Sequence, residues 1–129
     1  MSEKKRILIV EDEPDYASIV QGYLEKEGFE VDIAYNGVEG LEKVAANPPD
    51  AVLLDVMMPE KDGYKLCREL KRDSRYAGIP VILLTAVGDH VTTTRYSHHE
   101  GMSTEADDYL EKPASAERII QSLNRLLLS

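Results

Sequence analysis

The feature that most constrains the fold is a regular alternation of short apolar runs with amphipathic stretches along the chain. The run Arg6–Val10 is apolar after its first residue, and the runs at 51–54 and 81–84 are apolar throughout, as in strands buried on both faces. Shorter segments at 31–34 and 108–110 bring the number of predicted strands to five. Because buried strands separated by helices form parallel sheets covered on both sides, the pattern predicts a doubly wound α/β domain with a five-stranded parallel sheet.

The amphipathic stretches have the periodicity and the end signals of helices. The stretch 14–27 carries apolar residues on one face and ends before Gly28, a residue common at helix ends. A second stretch is stopped by Pro48, and a third spans 64–70. A last helix is predicted after Ser115, because serine is a favourable N-terminal cap. Between the fourth and fifth strands the pattern gives no clear helix.

Length and charge limit the classes of function. The chain has 129 residues, which suits one domain, and its formal net charge is −9. A phosphate backbone needs a basic protein face, so we expect no nucleic-acid partner. Cys67 is the only cysteine, which excludes an intrachain disulfide and a cysteine-based zinc cage. No apolar run approaches the roughly 20 residues of a membrane span, and the N-terminus does not resemble a signal peptide. We therefore expect a cytoplasmic protein without a membrane partner.

Chemically active side chains come at the end of the predicted strands. In a doubly wound sheet, the working site lies beyond the carboxyl ends of the strands. Glu11 and Asp12 follow the first strand, and Asp55 follows the third. Thr85 follows the fourth strand and Lys112 the fifth. The topology therefore predicts that three carboxylates, a hydroxyl and an amine meet at one edge of the sheet.

This set of groups suits phosphoryl chemistry. Carboxylates held close together repel one another, and Mg²⁺ with oxygen ligands is a common neutralising partner. A carboxylate is also a nucleophile that can form an aspartyl phosphate. Transfer of a phosphoryl group further needs positive charge and hydrogen-bond donors around its oxygens, which Lys112 and Thr85 would provide.

Four sequence runs in the same order resemble the receiver domain of two-component response regulators: ILIVEDEP, LLDVMMPEKDG, LLTA and ADDYLEKP. The resemblance covers nearly the whole chain. It implies a single receiver domain over 1–129 with the flavodoxin-like strand order 2-1-3-4-5. It also implies that Asp55 accepts a phosphoryl group from a phosphohistidine on a sensor histidine kinase or a histidine phosphotransfer protein.

The resemblance assigns the metal ligands. It implies that Mg²⁺ is bound by the carboxylates of Glu11, Asp12 and Asp55. The backbone carbonyl of Met57 would complete the protein ligands. Glu13, beside them, is expected to be a solvated or capping residue.

The resemblance also assigns the groups around the phosphoryl oxygens. Thr85 would bind one phosphoryl oxygen and change position on phosphorylation, and Lys112 would pair with another. Tyr109 lies where the switch aromatic of the family lies, so its packing is expected to change with the phosphorylation state. Pro113 would follow a cis peptide bond.

One stretch departs from the family pattern. The segment 88–107 is longer than is typical, and three threonines follow one another within it. It contains His90, His98 and His99, which lack the spacing of a metal site and are interpreted as polar surface residues. Receivers usually report their state through this region, so the role of the segment stays open.

Several functions remain as alternatives. No output domain follows the receiver pattern, so we expect a regulatory domain that binds a separate, unknown protein target and is not an enzyme beyond its own phosphotransfer and dephosphorylation. A phosphoryl carrier in a phosphorelay, and a fragment of a larger regulator, are alternatives. An aspartyl-nucleophile phosphohydrolase would need a general acid two residues after Asp55, where Met57 stands. In a flavin-binding module, the acidic run after the first strand would repel the flavin phosphate.

Overall fold

The computed structural model describes residues 4–56, 63–86 and 106–128 of the chain. Met57, His90, His98 and His99, with most of the segment 88–107, lie outside these ranges. The strands are β1 (Arg6–Val10), β2 (Glu30–Ala34), β3 (Ala51–Asp55), β4 (Val81–Ala86) and β5 (Asp108–Lys112). The helices within the described ranges are α1 (Pro14–Lys26), α2 (Gly37–Ala46), α3 (Gly63–Arg72) and α4 (Ala116–Leu128). None of these helices has the length and apolar character needed to cross a membrane.

The strands form one parallel sheet in the order β2-β1-β3-β4-β5. The doubly wound fold that the sequence pattern predicts, and the strand order that the family resemblance implies, are confirmed. The chain adds β2 on one side of β1 and then β3 on the other. Such a reversal leaves a crevice at the carboxyl ends of the two central strands, where this class of fold binds its ligands.

Apolar side chains cover both faces of the sheet and hold the helices against it. Every residue of β3 is buried, as expected for the central strand of a parallel sheet. Helices α2 and α3 pack on one face, and α1 and α4 pack on the other. On the first face the buried helix residues are Val44, Leu66, Cys67 and Leu70; on the second they are Ala17, Val20, Leu24, Ile119 and Leu123.

The two helix-end signals predicted at Gly28 and Ser115 act as expected, and the structure adds a cap at Asn36. Gly28, just after α1, has a φ of 95°, a left-handed conformation that glycine adopts without steric cost. The side chain of Asn36 accepts a hydrogen bond of 2.8 Å from the backbone N–H of Glu39 and caps α2. At the start of α4, the Ser115 hydroxyl accepts one of 3.2 Å from the backbone N–H of Arg118. Ser115 is therefore the cap that the sequence predicts.

The amino end of β5 is held beside the amino end of β4. The Asp107 carboxylate accepts a hydrogen bond of 2.8 Å from the Val81 N–H, and the Asp107 N–H donates one of 2.8 Å to the Val81 carbonyl. The Lys71 ammonium lies 2.8 Å from the same Asp107 carboxylate, and its side chain is only 10% exposed. These contacts fix β5 in register with β4 and so place Lys112, the last residue of β5.

Candidate functional site

Three carboxylates meet at the carboxyl edge of the sheet. Glu11 and Asp12 follow β1, and Asp55 ends β3, which lies next to β1. One carboxylate oxygen from each residue lies within 4.8 Å of the others. Glu11 is 0% exposed and Asp55 is 1% exposed, whereas Asp12 is half-buried. The structure therefore brings together the three acidic residues that the sequence places at this edge.

Backbone contacts fix the position of Glu11. Its N–H donates a hydrogen bond of 2.9 Å to the Ala34 carbonyl at the end of β2. Its side chain accepts one of 3.1 Å from the N–H of Glu13, just before α1. The Glu13 side chain makes no capping hydrogen bond to α1, so this residue contributes its backbone amide. Glu11 is thus oriented by the turn that joins β1 to α1.

The ammonium group of Lys112 lies between two of these carboxylates. Its Nζ is 3.1 Å from Oε1 of Glu11 and 3.3 Å from Oδ2 of Asp55. Strand β4 separates β5 from β3, so the Lys112 side chain reaches past the end of β4 to meet Asp55. The Lys112–Pro113 peptide bond is cis, as the resemblance implies. The lysine side chain is 18% exposed, so the pair is largely shielded from water.

Burial and charge shift the pKa values of this cluster. Burial, and then the charge of Asp55, raise the pKa of Glu11 to about 7, while Lys112 acts in the opposite direction. Burial lowers the pKa of Lys112, but the negative charges of Asp55 and Glu11 outweigh that effect and raise it. Three carboxylates and one ammonium leave excess negative charge in a site largely shielded from water. A cation is therefore the natural further partner.

The donor set fits Mg²⁺. This ion prefers oxygen ligands and is usually held by one or two carboxylates together with water and phosphate oxygens. Glu11, Asp12 and Asp55 offer three such oxygens in one cluster, and two of the three side chains are buried. Met57, the fourth ligand implied by the resemblance, lies outside the described residues.

The remaining two predicted site residues lie on β4 and β5. Thr85 is 2% exposed and follows Leu84, the register partner of Asp55, so it lies at the same edge of the sheet. Tyr109 is paired with Leu83, further from the carboxyl edge, and is 36% exposed. Asp55 and Thr85 belong to the strands themselves rather than following them, because the ladder hydrogen bonds of β3 and β4 extend further than the apolar runs.

Sequence reasoning missed Tyr16. The Lys112 ammonium lies 4.6 Å from the centroid of the Tyr16 ring, which is a cation–π distance. Tyr16 is in the first turn of α1, four residues after Asp12, so the chain returns it to the cluster. An aromatic residue one turn after the acidic pair was a usable signal. The periodicity of 14–27 drew attention instead to the apolar face of the helix.

Gly63, at the start of α3, was also missed. A Cβ atom on Gly63 would lie 2.6 Å from the Asp55 carbonyl oxygen and 2.7 Å from the Val56 Cα. Only a residue without a side chain allows α3 to begin this close to the end of β3. The sequence signal was Gly63 itself, which follows an aspartate after the third strand and was interpreted as part of a loop.

Comparison with known proteins gives a consistent result. The sequence model described as "Response regulator receiver domain" matches residues 7–124. The DNA-binding dual master transcriptional regulator RpaA of Synechocystis is 38% identical over 122 residues, which are 95% of this chain and 48% of RpaA. The response regulator ArlR of Staphylococcus saprophyticus is 37% identical, over 95% of this chain and 52% of ArlR. The chain thus spans about half the length of these curated relatives.

A solved structure supports the same fold. The signal receiver domain of a signal transduction histidine kinase from Syntrophus aciditrophicus matches with a TM-score of 0.85 and 37% identity. The match covers 96% of this chain and 90% of that one. Structural likeness at this level of identity agrees with the strand order described above.

One prediction needs correction. The net charge of −9 led us to expect no nucleic-acid partner. RpaA is a DNA-binding regulator, so a domain similar in sequence to this one occurs in a protein that binds DNA. The physical reason is that charge counted over 129 residues describes this domain alone, whereas RpaA is about twice as long. The charge of the domain therefore does not exclude a nucleic-acid partner.

Proposed function

This chain belongs to the response regulator receiver domain family of two-component signalling, and from that premise we propose that Asp55 accepts a phosphoryl group from a histidine kinase or histidine phosphotransfer protein. The observation that carries the proposal is the position of the Asp55 carboxylate. It is buried, it lies in a cluster of three carboxylates, and it is 3.3 Å from an ammonium group. A carboxylate with neutralising charge beside it is suited to attack phosphorus.

The donor is a phosphohistidine whose second ring nitrogen carries a proton, so neutral imidazole is the leaving group and no external acid or base is needed. A carboxylate oxygen of Asp55 forms a bond to phosphorus as the bond from phosphorus to the donor imidazole nitrogen breaks. The electron pair of the broken bond stays on that nitrogen. Lys112 neutralises the negative charge that develops on the phosphoryl oxygens. Mg²⁺ held by Glu11, Asp12 and Asp55 would supply further positive charge to these oxygens.

Return to the resting state takes place at the same residue. Water attacks the phosphorus, the bond to Asp55 breaks, and inorganic phosphate leaves with the carboxylate restored. We propose that the domain is regulatory and that this self-catalysed cycle is its own chemistry. The buried environment of Asp55, which is 1% exposed, limits the access of water and so favours an adduct that persists.

The signal would arise from a change of shape on the neighbouring strands. Thr85 lies at the carboxyl edge, one position beyond the residue paired with Asp55, and this position supports a role for its hydroxyl as a donor to a phosphoryl oxygen. Tyr109, on β5, is 36% exposed and would change its packing as the end of β4 moves. Phosphorylation shifts a balance between two shapes by the difference in their affinity for the phosphoryl group. A protein partner that binds one shape reads that difference.

A phosphoryl carrier in a relay is the second candidate. It is favoured by the likeness to the receiver domain of a histidine kinase. The two functions differ in the lifetime of the adduct, because a carrier passes its phosphoryl group on rapidly to a histidine. Measurement of return transfer to a phosphotransfer protein, compared with spontaneous hydrolysis, separates them.

Intact mass measurement tests the phosphoacceptor. The domain is incubated with Mg²⁺ and acetyl phosphate, and we expect a single phosphoryl adduct on the wild-type chain. Asp55→Asn should show no adduct, because an amide does not attack phosphorus. Asp32→Asn, on an exposed part of β2, is the matched control and should be labelled like wild type. An adduct that persists in Asp55→Asn, or never forms in the wild type, would contradict the proposal.

A further inference from the structure

Among the residues that the structure describes, the Lys112 ammonium contacts two charged groups and one uncharged group. Two are the carboxylates of Glu11 and Asp55, and the third is the face of the Tyr16 ring. We propose that Tyr16 is a positioning residue that holds the Lys112 ammonium at the carboxylate cluster through the face of its ring. The inference rests on the proposed role of Asp55 as phosphoacceptor, since Lys112 acts on the group that Asp55 receives.

The geometry meets the requirements of a cation–π contact. The Lys112 Nζ is 4.6 Å from the ring centroid, within the distance of about 6 Å over which the ring attracts a cation. The lysine side chain is 18% exposed, so little water competes with the ring. Such contacts are strongest where the cation is desolvated. The ring therefore contributes to the position of the ammonium rather than only covering it.

The ring differs from the carboxylates in one respect that matters for the reaction. The attraction of Glu11 and Asp55 for Lys112 changes whenever these groups take up a proton, a cation or a phosphoryl group. The attraction of the ring depends on its fixed quadrupole, which none of these events alters. Tyr16 thus keeps the ammonium at the site while the charges around it change.

The hydroxyl group of Tyr16 does not explain the contact. It is buried, and it lies beside the Ala114 backbone amide without the geometry of a full hydrogen bond. Burial raises the pKa of this hydroxyl, while the Ala114 backbone amide and Lys112 lower it less, so the ring stays neutral near pH 7. The part of Tyr16 that meets Lys112 is the ring face, and phenylalanine would preserve it.

A second cation–π pair in the chain provides a matched control. The Arg75 guanidinium lies 4.8 Å from the centroid of the Tyr76 ring. Tyr76 is 5% exposed and precedes β4, at the amino edge of the sheet and away from the carboxylates. Removal of the Tyr76 ring removes a cation–π contact and a buried aromatic side chain without touching the cluster.

The experiment compares Tyr16→Phe, Tyr16→Leu and Tyr76→Leu in the full chain. The first measurement is the initial rate of Asp55 phosphorylation with Mg²⁺ and acetyl phosphate. We expect the rate to fall about fivefold in Tyr16→Leu, as an intermediate cation–π contact implies, and to stay within about twofold of wild type in Tyr16→Phe. Tyr76→Leu should unfold at a lower urea concentration but keep the wild-type rate of Asp55 phosphorylation. In a Lys112→Ala background, Tyr16→Leu should have no further effect on the rate.

The second measurement is independent of phosphorylation. The ε-methylene group of Lys112 adjoins an ammonium that lies 4.6 Å from the Tyr16 ring centroid. Its protons should therefore show an upfield NMR shift in wild type and Tyr16→Phe that is lost in Tyr16→Leu. If Asp55→Asn still takes up phosphate, the proposed function fails, while the NMR shift continues to test Tyr16. The inference is overturned if Tyr16→Phe is as slow as Tyr16→Leu, if Tyr16→Leu retains the rate or the shift, or if Tyr76→Leu slows the reaction equally.

Discussion

At the scale of single residues, the Lys112 ammonium compensates the charge of the buried Glu11 and Asp55 carboxylates, and it lies within 3.3 Å of both. Lys112→Ala leaves two buried carboxyl groups next to each other without the ammonium that compensates their charge. Removal of one partner from a buried ion pair typically costs about 3 kcal/mol or more. We expect a loss of that size near neutral pH and a smaller loss near pH 5, where protonation relieves the repulsion.

Urea unfolding in EDTA at the two pH values measures this loss. Lys26→Ala is the control, because Lys26 is exposed in the last turn of α1 and should change the unfolding free energy by less than about 0.5 kcal/mol. Equal losses in the two variants would show that Lys112 does not compensate the buried carboxylates.

The raised pKa of Glu11 predicts how stability depends on pH in the absence of metal. Its pKa is about 7 in the folded chain and near 4.5 when unfolded, so the folded state binds the proton more tightly. The contribution to stability is complete below pH 4.5 and is lost as pH rises through 7. The 2.5-unit difference corresponds to a change of about 3 kcal/mol. Glu11→Gln should flatten this decline, measured by urea unfolding in EDTA from about pH 5 to 8; an equally steep decline in both proteins would refute the assignment.

At the scale of secondary-structure elements, the start of α3 is set by its contact with the end of β3. Gly63→Ala places a Cβ atom 2.6 Å from the Asp55 carbonyl oxygen, so the helix must move away from the strand. Overpacking of this kind costs about 1–3 kcal/mol, and we expect a lower unfolding free energy together with slower phosphorylation of Asp55.

Gly22→Ala is the matched control for this prediction. Gly22 is inside α1, and a Cβ atom there meets nothing within 4 Å. Alanine should therefore stabilise the helix by about 0.5–1 kcal/mol. Urea unfolding and phosphorylation rates measured on both variants separate the crowding at Gly63 from a general effect of glycine replacement. Similar changes of unfolding free energy and phosphorylation rate in the two variants would contradict the crowding at Gly63.

Elements were predictable from the sequence where local signals and burial agree. Apolar runs identified the strands, and the helix ends at Gly28 and Ser115 were predictable because Gly28 adopts a left-handed conformation and Ser115 makes a capping hydrogen bond, as their residue types favour. The roles of Tyr16 and Gly63 were not predictable in this way. Each depends on what another part of the chain brings close to it, Lys112 in one case and the Asp55 carbonyl in the other.

At the scale of the whole molecule, the net charge of −9 and the carboxylate cluster predict different responses to ions. Any salt screens the general repulsion, whereas Mg²⁺ would also bind the cluster. At about ten times its dissociation constant, a bound ion stabilises the folded state by about 1.4 kcal/mol. We expect Mg²⁺ to raise the thermal midpoint above that in NaCl of the same ionic strength. Asp12→Asn should reduce the difference, and an equal response to both salts would argue against the site.

The one wrong prediction from the sequence, the absence of a nucleic-acid partner, also concerns the whole domain. The positions of Glu11, Asp12, Asp55 and Lys112 followed from strand order alone, because parallel strands deliver their last residues to one edge. The expectation of no nucleic-acid partner relied instead on the total charge of these 129 residues. That charge says nothing about the other half of a longer relative such as RpaA. Topology predicts what lies close together, whereas net charge does not identify partners.

Asp107 forms an ion pair with Lys71 and accepts a hydrogen bond from the Val81 N–H. These contacts hold the start of β5 in place independently of the sequence of the connection that precedes it. This connection, from the end of β4 at residue 86 to the start of β5 at 108, has 107 − 86 = 21 residues. A parallel crossover needs only about a dozen. Doubling the length of a flexible connection costs only about 0.6 kcal/mol. The sequence of this stretch can therefore change, by evolution or by design, while Lys112 stays beside Glu11 and Asp55.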